Sequence, residues 1–314
     1  MGHKIGDVDS FGAAVGIYRI ARTLERRAQI VLNDVTTSLR PIVELFKDNP
    51  EYESDMMVTS AQAVECAGPN TVLVVVDVNK PSLTECPELL KLCKSIVVLD
   101  HHRAGTETIE NATLSYVETY ASSTCEMVSE VLQYISDGLR IKSEEADSMY
   151  AGMVVDTQNF NTKTGVRTFE AAAFLRRNGA DVTRVRKLFR ENAAEYKAKA
   201  DAVSQAEIYR SAYAISVCNS EGLASPTVVG AQAANELLDI RDVKASFVLT
   251  EYQNKLFFSA RSIDEVNVQV IMERMGGGGH LNIAGCQMEN TPVEEGIAIL
   301  KRTLDKMIEE GEIS

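Results

Sequence analysis

The sequence is short of several things that would direct its reading elsewhere. It has only four histidines among 314 residues, and its six cysteines (Cys66, Cys86, Cys93, Cys125, Cys218 and Cys286) include no C-x-x-C pair. Their spacing fits neither a zinc knuckle nor a disulfide framework, so they read as reduced thiols of a cytoplasmic protein. No apolar run approaches the roughly 18 residues that a membrane-spanning helix needs. Signal peptide, internal repeat and low-complexity tract are likewise missing. Basic charge is scarce too. The formal net charge is −13, which leaves no general surface for gripping long nucleic acid. A phosphate-ester substrate would have to be met locally, by cations or a few placed Arg and Lys.

What is present is concentrated. His3 opens His3-Lys4-Ile5-Gly6-Asp7-Val8-Asp9, His101 and His102 belong to Asp100-His101-His102, and His280 follows the glycine run Gly276, Gly277, Gly278, Gly279. Every histidine thus sits beside carboxylates or glycines, where metal and phosphate chemistry would place it. The start of the chain is abrupt. His3 has no strand in front of it, which predicts a piece cut from a longer protein.

The first half alternates strand-like and helix-like runs. Helices are expected over 11–27, 39–46, 122–135 and 143–155, with a short strand at 30–32. The stretches 70–77 (Thr71 to Val76) and 95–100 (Ile96 to Leu99) are apolar on both faces, as buried parallel strands are, and end in Asp77 and Asp100. Asp156 follows Met153-Val154-Val155 and reads as a third such strand end. In open α/β sheets, ligands gather at these carboxyl ends. Residues 181–212 read as mostly helical. A second domain is expected from about Ser225, with strands at 245–250 and 256–261, a helix at 268–274 and a closing helix through Lys306. The predicted boundaries are a catalytic domain over 1–190, a helical linker over 191–224 and a substrate-binding domain over 225–314.

H-x-x-x-D-x-D offers an imidazole and two carboxylates within seven residues. Taken alone, Asp7 or Asp9 could be no more than a helix cap for the run that follows. Added to Asp77, Asp100-His101-His102 and Asp156, it gives six to eight donors. So many acids in one pocket repel one another. Two divalent cations sharing a carboxylate would relieve this and activate a water for attack on phosphorus. Mixed imidazole and carboxylate donors suit Mn²⁺, Fe²⁺ or Co²⁺ better than an all-oxygen Mg²⁺ site.

These four separated motifs, in this order, resemble the DHH phosphoesterase superfamily. The strings Ser259-Ala260-Arg261-Ser262, Asn267-Val268-Gln269 and Gly276–His280 resemble its associated C-terminal domain, DHHA1. Met1–Lys4, Val76–Pro81, Glu85–Leu89, Asp100–Arg103 and Tyr120–Thr124 are similar to the GdpP-type (YybT-type) cyclic di-AMP phosphodiesterases. The resemblance implies an α/β fold, with a parallel-sheet DHH domain and a smaller α/β DHHA1 domain joined by a helical linker. It implies two divalent cations, Mn²⁺ by preference, held by His3, Asp7, Asp9, Asp77, His101 and Asp156 with Asp77 shared. His102 would contact the scissile phosphate and Asp100 would orient the loop. Arg261, Gly276, Gly277, Gly278, Gly279 and His280 would hold a second phosphate. Arg103 and Ser123 would help place a nucleotide, though each also reads as ordinary structure, a surface Arg and a helix cap. The implied activity is hydrolysis of cyclic di-AMP to 5′-pApA. The nearest alternative is a nano-RNase or pAp-phosphatase acting on short linear dinucleotides. A metal-independent nucleotide sensor would have lost a ligand, and none is missing. No long nucleic acid and no membrane contact by this stretch are expected. Self-association into a homodimer is left open. The setting implied is the cytosolic portion of a membrane-anchored protein.

Overall fold

The computed structural model describes residues 1–136, 138–263 and 265–313, and it divides into two compact units, Met1–Arg190 and Glu191–Ser314. The first contains α1 (Val8–Thr23), β1 (Ile30–Val31), α2 (Arg40–Val43), β2 (Met57–Val58), α3 (Ser60–Cys66), β3 (Val72–Val76), α4 (Leu89–Leu92), β4 (Ser95–Asp100), β5 (Leu114–Val117), α5 (Thr124–Ile135), α6 (Ser143–Asp156), α7 (Val166–Arg177) and α8 (Val182–Leu188). β3, β4 and β5 form a parallel sheet, and β1 and β2 a separate parallel pair.

Strands β3 and β4 are covered on both faces, which is why they carry no polar alternation. Val76 and Leu99 join the core that α1, α5 and α6 build with Phe11, Val15, Val128, Leu132 and Met149. Leu73, Val75, Ile96 and Val98 face the other way, onto Leu89 and Leu90 of the α4 region. Helix α1 crosses α5 and α6 at close range. A Cβ on Gly12 would lie 2.7 Å from the Ser148 carbonyl oxygen and 2.8 Å from Cys125 Sγ, and one on Gly152 would lie 2.6 Å from that sulfur and 2.9 Å from Asp9 Cα. Only hydrogen fits at either place, and the approach it allows brings the first turns of α1 and α5 together.

The chain start is held more firmly than the sequence predicts. The Met1 amine donates to Val74 O (2.8 Å), Val76 N–H donates to Met1 O (3.0 Å), and His3 bridges to Thr84. Met1 therefore lies along β3 and fixes the backbone leading to His3.

The second unit contains α9 (Ala193–Ser204), β6 (Glu207–Tyr209), β7 (Tyr213–Cys218), α10 (Pro226–Leu237), β8 (Ala245–Tyr252), β9 (Lys255–Ser262), α11 (Val268–Arg274), β10 (Gly278–Gly279), β11 (Ile283–Glu289) and α12 (Val293–Glu309). One mixed sheet runs β10-β11-β9-β8-β7-β6, with β7 and β8 parallel across α10. Helices α9 and α10 cover one face through Ala202, Val229, Ala233 and Leu237. Helices α11 and α12 cover the other, where Tyr213, Phe247 and Phe258 meet Ile271, Leu300 and Leu304.

Two expectations are corrected. Residues 205–224 are not helical linker: they hold β6 and β7, whose Tyr213, Ala214 and Ile215 are buried in the second sheet. Their alternation of inward faces is the strand period that the surrounding charge obscures. Asp156 does not end a strand. It is the last residue of helix α6, in which Met153 is buried while Val155 is 42% exposed. A three-residue apolar run is too short to separate the two periods.

Candidate metal centre

The donors arrive from four elements. Asp7 caps α1, its Oδ1 accepting from Ser10 N–H (2.9 Å), and an acid there is favoured by the helix dipole. Asp9, in the first turn of α1, is fully buried. Asp77 follows β3 with φ +62°, a left-handed conformation that only a minority of non-glycine residues adopt. Its N–H donates to Leu99 O (2.8 Å), so β4 holds the turn that tips the carboxylate off the sheet. Asp100 ends β4, His101 and His102 follow it, and Asp156 closes α6.

His3 Nε2 lies 3.4 Å from Asp7 Oδ2 and 3.4 Å from Asp77 Oδ2. His101 Nε2 lies 3.2 Å from Asp156 Oδ2, 3.4 Å from Asp77 Oδ1 and 4.0 Å from Asp9 Oδ2. Three donor groups result: His3, Asp7 and Asp77; Asp9, His101 and Asp156; Asp77, His101 and His102. In each, the ligand atoms fall within 4.8 Å of one another. Asp77 stands between them, one oxygen toward His3 and the other toward His101 and His102.

The electrostatics are those of an acid cluster short of positive charge. Burial pushes the Asp9 carboxyl well above its ordinary range, and the Asp77 and Asp156 charges push it further. Burial raises Asp156 as well, against the neighbouring His101. Burial would also raise Asp77, but His101 and His3 overcome it and hold that carboxyl low. Burial pulls the two imidazoles down, yet the carboxylates win, leaving His3 at about 10 and His101 at about 11. Buried His101 Nε2 makes no well-aligned hydrogen bond despite three carboxylates within 4.0 Å. An orphaned nitrogen amid carboxylate oxygens fits a divalent cation with mixed N and O donors.

His102 is held differently. Its Nδ1 lies 2.8 Å from Asp100 Oδ1, and its N–H donates to the same oxygen (3.1 Å). The Asp100 hydrogen bond raises the imidazole pKa against burial, and it leaves Nε2 for another partner. Buried Asn79 donates to Asp100 Oδ2 (2.6 Å) and to His102 O (3.3 Å).

The remaining sequence candidates fare less evenly. Arg103 is exposed on the loop after β4. Ser123 is fully buried and caps α5, its Oγ accepting from Glu126 N–H (3.1 Å). It serves the helix and has no surface to offer a nucleotide. In the second unit Arg261 lies on β9 with Nε buried and unpartnered, and burial lowers its pKa. His280 is exposed. The glycine run is not a free amide cradle. Gly276 N–H donates to Glu273 O (3.0 Å), Gly277 N–H to Met272 O (2.8 Å) and His280 N–H to Ile283 O (2.7 Å), while Gly278 and Gly279 pair with β11. The run closes α11 and turns into the sheet.

Sequence reasoning missed two residues, Asn79 and Thr124. Thr124 Oγ1 donates to Asp77 Oδ1 (3.0 Å) and its N–H to Asp9 Oδ2 (2.7 Å). Their position in Val76–Pro81 and Tyr120–Thr124, strings already singled out, was the available signal.

The chain matches the DHH family N-terminal domain over residues 1–153 and the DHHA1 domain over residues 213–310. It thus contains a DHH domain followed by a DHHA1 domain. Among curated proteins it is similar to the cyclic-di-AMP phosphodiesterase GdpP of Bacillus subtilis (strain 168), 40% identical over 315 residues that take in 99% of this chain and 48% of that protein. The chain thus spans about half the length of the curated relatives it matches. Among solved structures it shares its fold with an exopolyphosphatase-related protein from Bacteroides fragilis, with a TM-score of 0.76 at 19% identity, covering 98% of this chain and 91% of that one. RecJ from Thermus thermophilus, in complex with Mn²⁺, has the same fold with a TM-score of 0.52 at 15% identity, covering 97% of this chain and 51% of that one.

Proposed function

We propose that this chain is the catalytic region of a metal-dependent phosphodiesterase that opens cyclic di-AMP to the linear dinucleotide 5′-pApA. The observation that carries this is the convergence of His3, Asp7, Asp9, Asp77, His101 and Asp156 on one spot with Asp77 common to both sides. The likeness to a cyclic-di-AMP phosphodiesterase over nearly the whole chain supports the substrate.

His3, Asp7 and Asp77 would hold one divalent cation, and Asp9, Asp77, His101 and Asp156 the other. When bound, such a pair polarises phosphoryl oxygens and lowers the pKa of water toward neutrality. The imidazole and carboxylate donors favour Mn²⁺, the ion present in the RecJ structure. The chain's own residues do the rest. Asp100, steadied by Asn79, holds His102 by Nδ1 and favours the imidazolium, so that Nε2–H donates to an oxygen of the scissile phosphate. Hydrolysis adds water across one P–O3′ bond, leaving a 5′-phosphate and a free 3′-hydroxyl. In the second unit, Arg261 and His280 would bind the other phosphate, Arg261 bringing a guanidinium whose Nε has no partner and whose Nη1 donates to Ala260 O (2.9 Å). Among the described residues no helix is long and apolar enough to cross a membrane. That the region works in the cytosol, as part of a longer anchored chain, belongs to the same proposal.

The test is direct. With Mn²⁺, the purified protein should convert cyclic di-AMP to pApA, and Asp77→Ala or His101→Ala should stop it. Turnover retained in both variants overturns the site. Cleavage of linear pApA with cyclic di-AMP left intact would replace the substrate assignment by the short-oligonucleotide one.

A further inference from the structure

We propose that Thr124 is a positioning residue that sets both halves of the metal centre from one point, its amide fixing Asp9 and its hydroxyl fixing Asp77. The inference rests on the metal-centre reading above and extends it to a residue outside the ligand set.

Thr124 is the first residue of α5 and is fully buried. Its N–H donates to Asp9 Oδ2 (2.7 Å) and the next amide, Cys125 N–H, to Asp9 Oδ1 (2.9 Å). The free amides of a helix start therefore clamp both oxygens of one carboxylate. The Thr124 hydroxyl reaches the other way, to Asp77 Oδ1 (3.0 Å). That oxygen is the one turned toward His101 (3.4 Å) and His102 (3.5 Å), while Oδ2 faces His3 (3.4 Å). A carboxylate shared by two donor groups must keep its rotation about the Cβ–Cγ bond, and this hydroxyl is the contact that holds it. Thr124 is itself braced from behind. The buried Glu126 carboxylate accepts from Ser122 N–H (3.2 Å), Ser122 Oγ (2.6 Å) and Thr168 Oγ1 at the start of α7 (2.6 Å). Groups that orient metal ligands in this way are worth 10–100-fold in metal affinity, by order of magnitude.

Calorimetric titration of the metal-free whole chain with Mn²⁺ tests this without recourse to turnover. The wild type and Thr124→Ser, which keeps the hydroxyl, should bind alike. Thr124→Val should weaken the looser of the two Mn²⁺ affinities by about 10–100-fold. Ser123→Ala separates positioning from mere support of the helix. It removes the cap of the same α5 without touching Asp9 or Asp77, so it should lower the melting temperature and leave Mn²⁺ binding unchanged. Should Thr124→Val not fold, Thr124→Ala against Thr124→Ser makes the same comparison. Mn²⁺ affinity in the hydroxyl-less variant within about twofold of wild type, the ±0.5 kcal/mol band of inert substitutions, overturns the proposal. If instead the wild type takes up no Mn²⁺, or His101→Ala takes up as much, the metal-centre reading itself falls and Thr124 with it.

Discussion

The two units use conspicuous residues in opposite ways. In the first, polar side chains crowd against one another at a cost that local hydrogen bonding offsets only in part: Asp9, Asp77 and His101 are buried, His3, Asp7 and Asp156 half-buried beside them, and His101 Nε2 is left unaligned. In the second, the most conspicuous string, Gly276 to Gly279, is largely tied to its own backbone: the Gly276 and Gly277 amides turn to α11 carbonyls, and Gly278 and Gly279 run beside β11. An unresolved electrostatic conflict marks a place made for a ligand. A backbone mostly taken up by its own hydrogen bonds marks a place made for packing. Between these stands Arg261, whose Nε is one of several buried polar atoms of the second unit without a hydrogen bond and the one that carries positive charge.

The largest expected effect breaks this comparison at its strong end. Asp77→Ala removes the carboxylate that faces His3 on one side and His101 on the other. Cleavage of cyclic di-AMP should fall by about 10³-fold or more, equivalent to the several kcal/mol that metal-centred charge stabilisation supplies. Arg261→Ala should cost less, about 10–100-fold in kcat/KM and chiefly through KM, because it removes a binding contact remote from the reacting bond. Steady-state kinetics on both variants checks the order. An Arg261→Ala loss as large as that of Asp77→Ala would place the arginine in the chemistry.

How far the sequence could be read follows from the same contrast. Asp77 and Asp100-His101-His102 were legible because each follows an apolar β-branched run, and the end of a buried parallel strand is where such a sheet gathers ligands. The helices expected over 11–27, 122–135 and 268–274 were legible in kind, and form over 8–23, 124–135 and 268–274. Asp156 was picked out as a candidate through the order of whole motifs, and the fold does bring it to 3.2 Å from His101 Nε2, but its setting was misread, since Met153-Val154-Val155 has no period of its own. Residues 205–224 were misread because β6 and β7 owe their burial to helices and strands far along the chain. Thr124 and Asn79 left no independent trace. Their partners Asp9, Asp77 and Asp100 lie 115, 47 and 21 positions away, so their role exists only once the chain has folded and α1 and α5 have crossed. The glycine run was legible as a motif but not in its hydrogen bonding, because which amides remain free is a property of the completed sheet.

Stability separates the glycines that the sequence presents as one motif. A Cβ on Gly277 would lie 2.2 Å from the Gly285 carbonyl oxygen and 2.3 Å from Cys286 Cβ. Backbone in a paired strand yields little, so Gly277→Ala should destabilise the second unit by about 1–3 kcal/mol, read as an earlier midpoint in denaturant. An unchanged midpoint would mean that β11 shifts freely, and the packing account would fail.

Its neighbour gives the smallest effect and the sharpest discrimination. A Cβ on Gly278 meets nothing within 4 Å, and this residue is not among the glycines with positive φ. Gly278→Ala should therefore be neutral or stabilise by about 0.4–1 kcal/mol, through loss of unfolded-state freedom alone. If the glycine run served as a phosphate cradle, the added methyl would sit where the phosphate must approach, and KM would rise. If the run is packing, KM should stay within about twofold, the band of a substitution that meets nothing. One measurement on one methyl group thus decides whether the second unit recognises phosphate through backbone or through Arg261 and His280 alone.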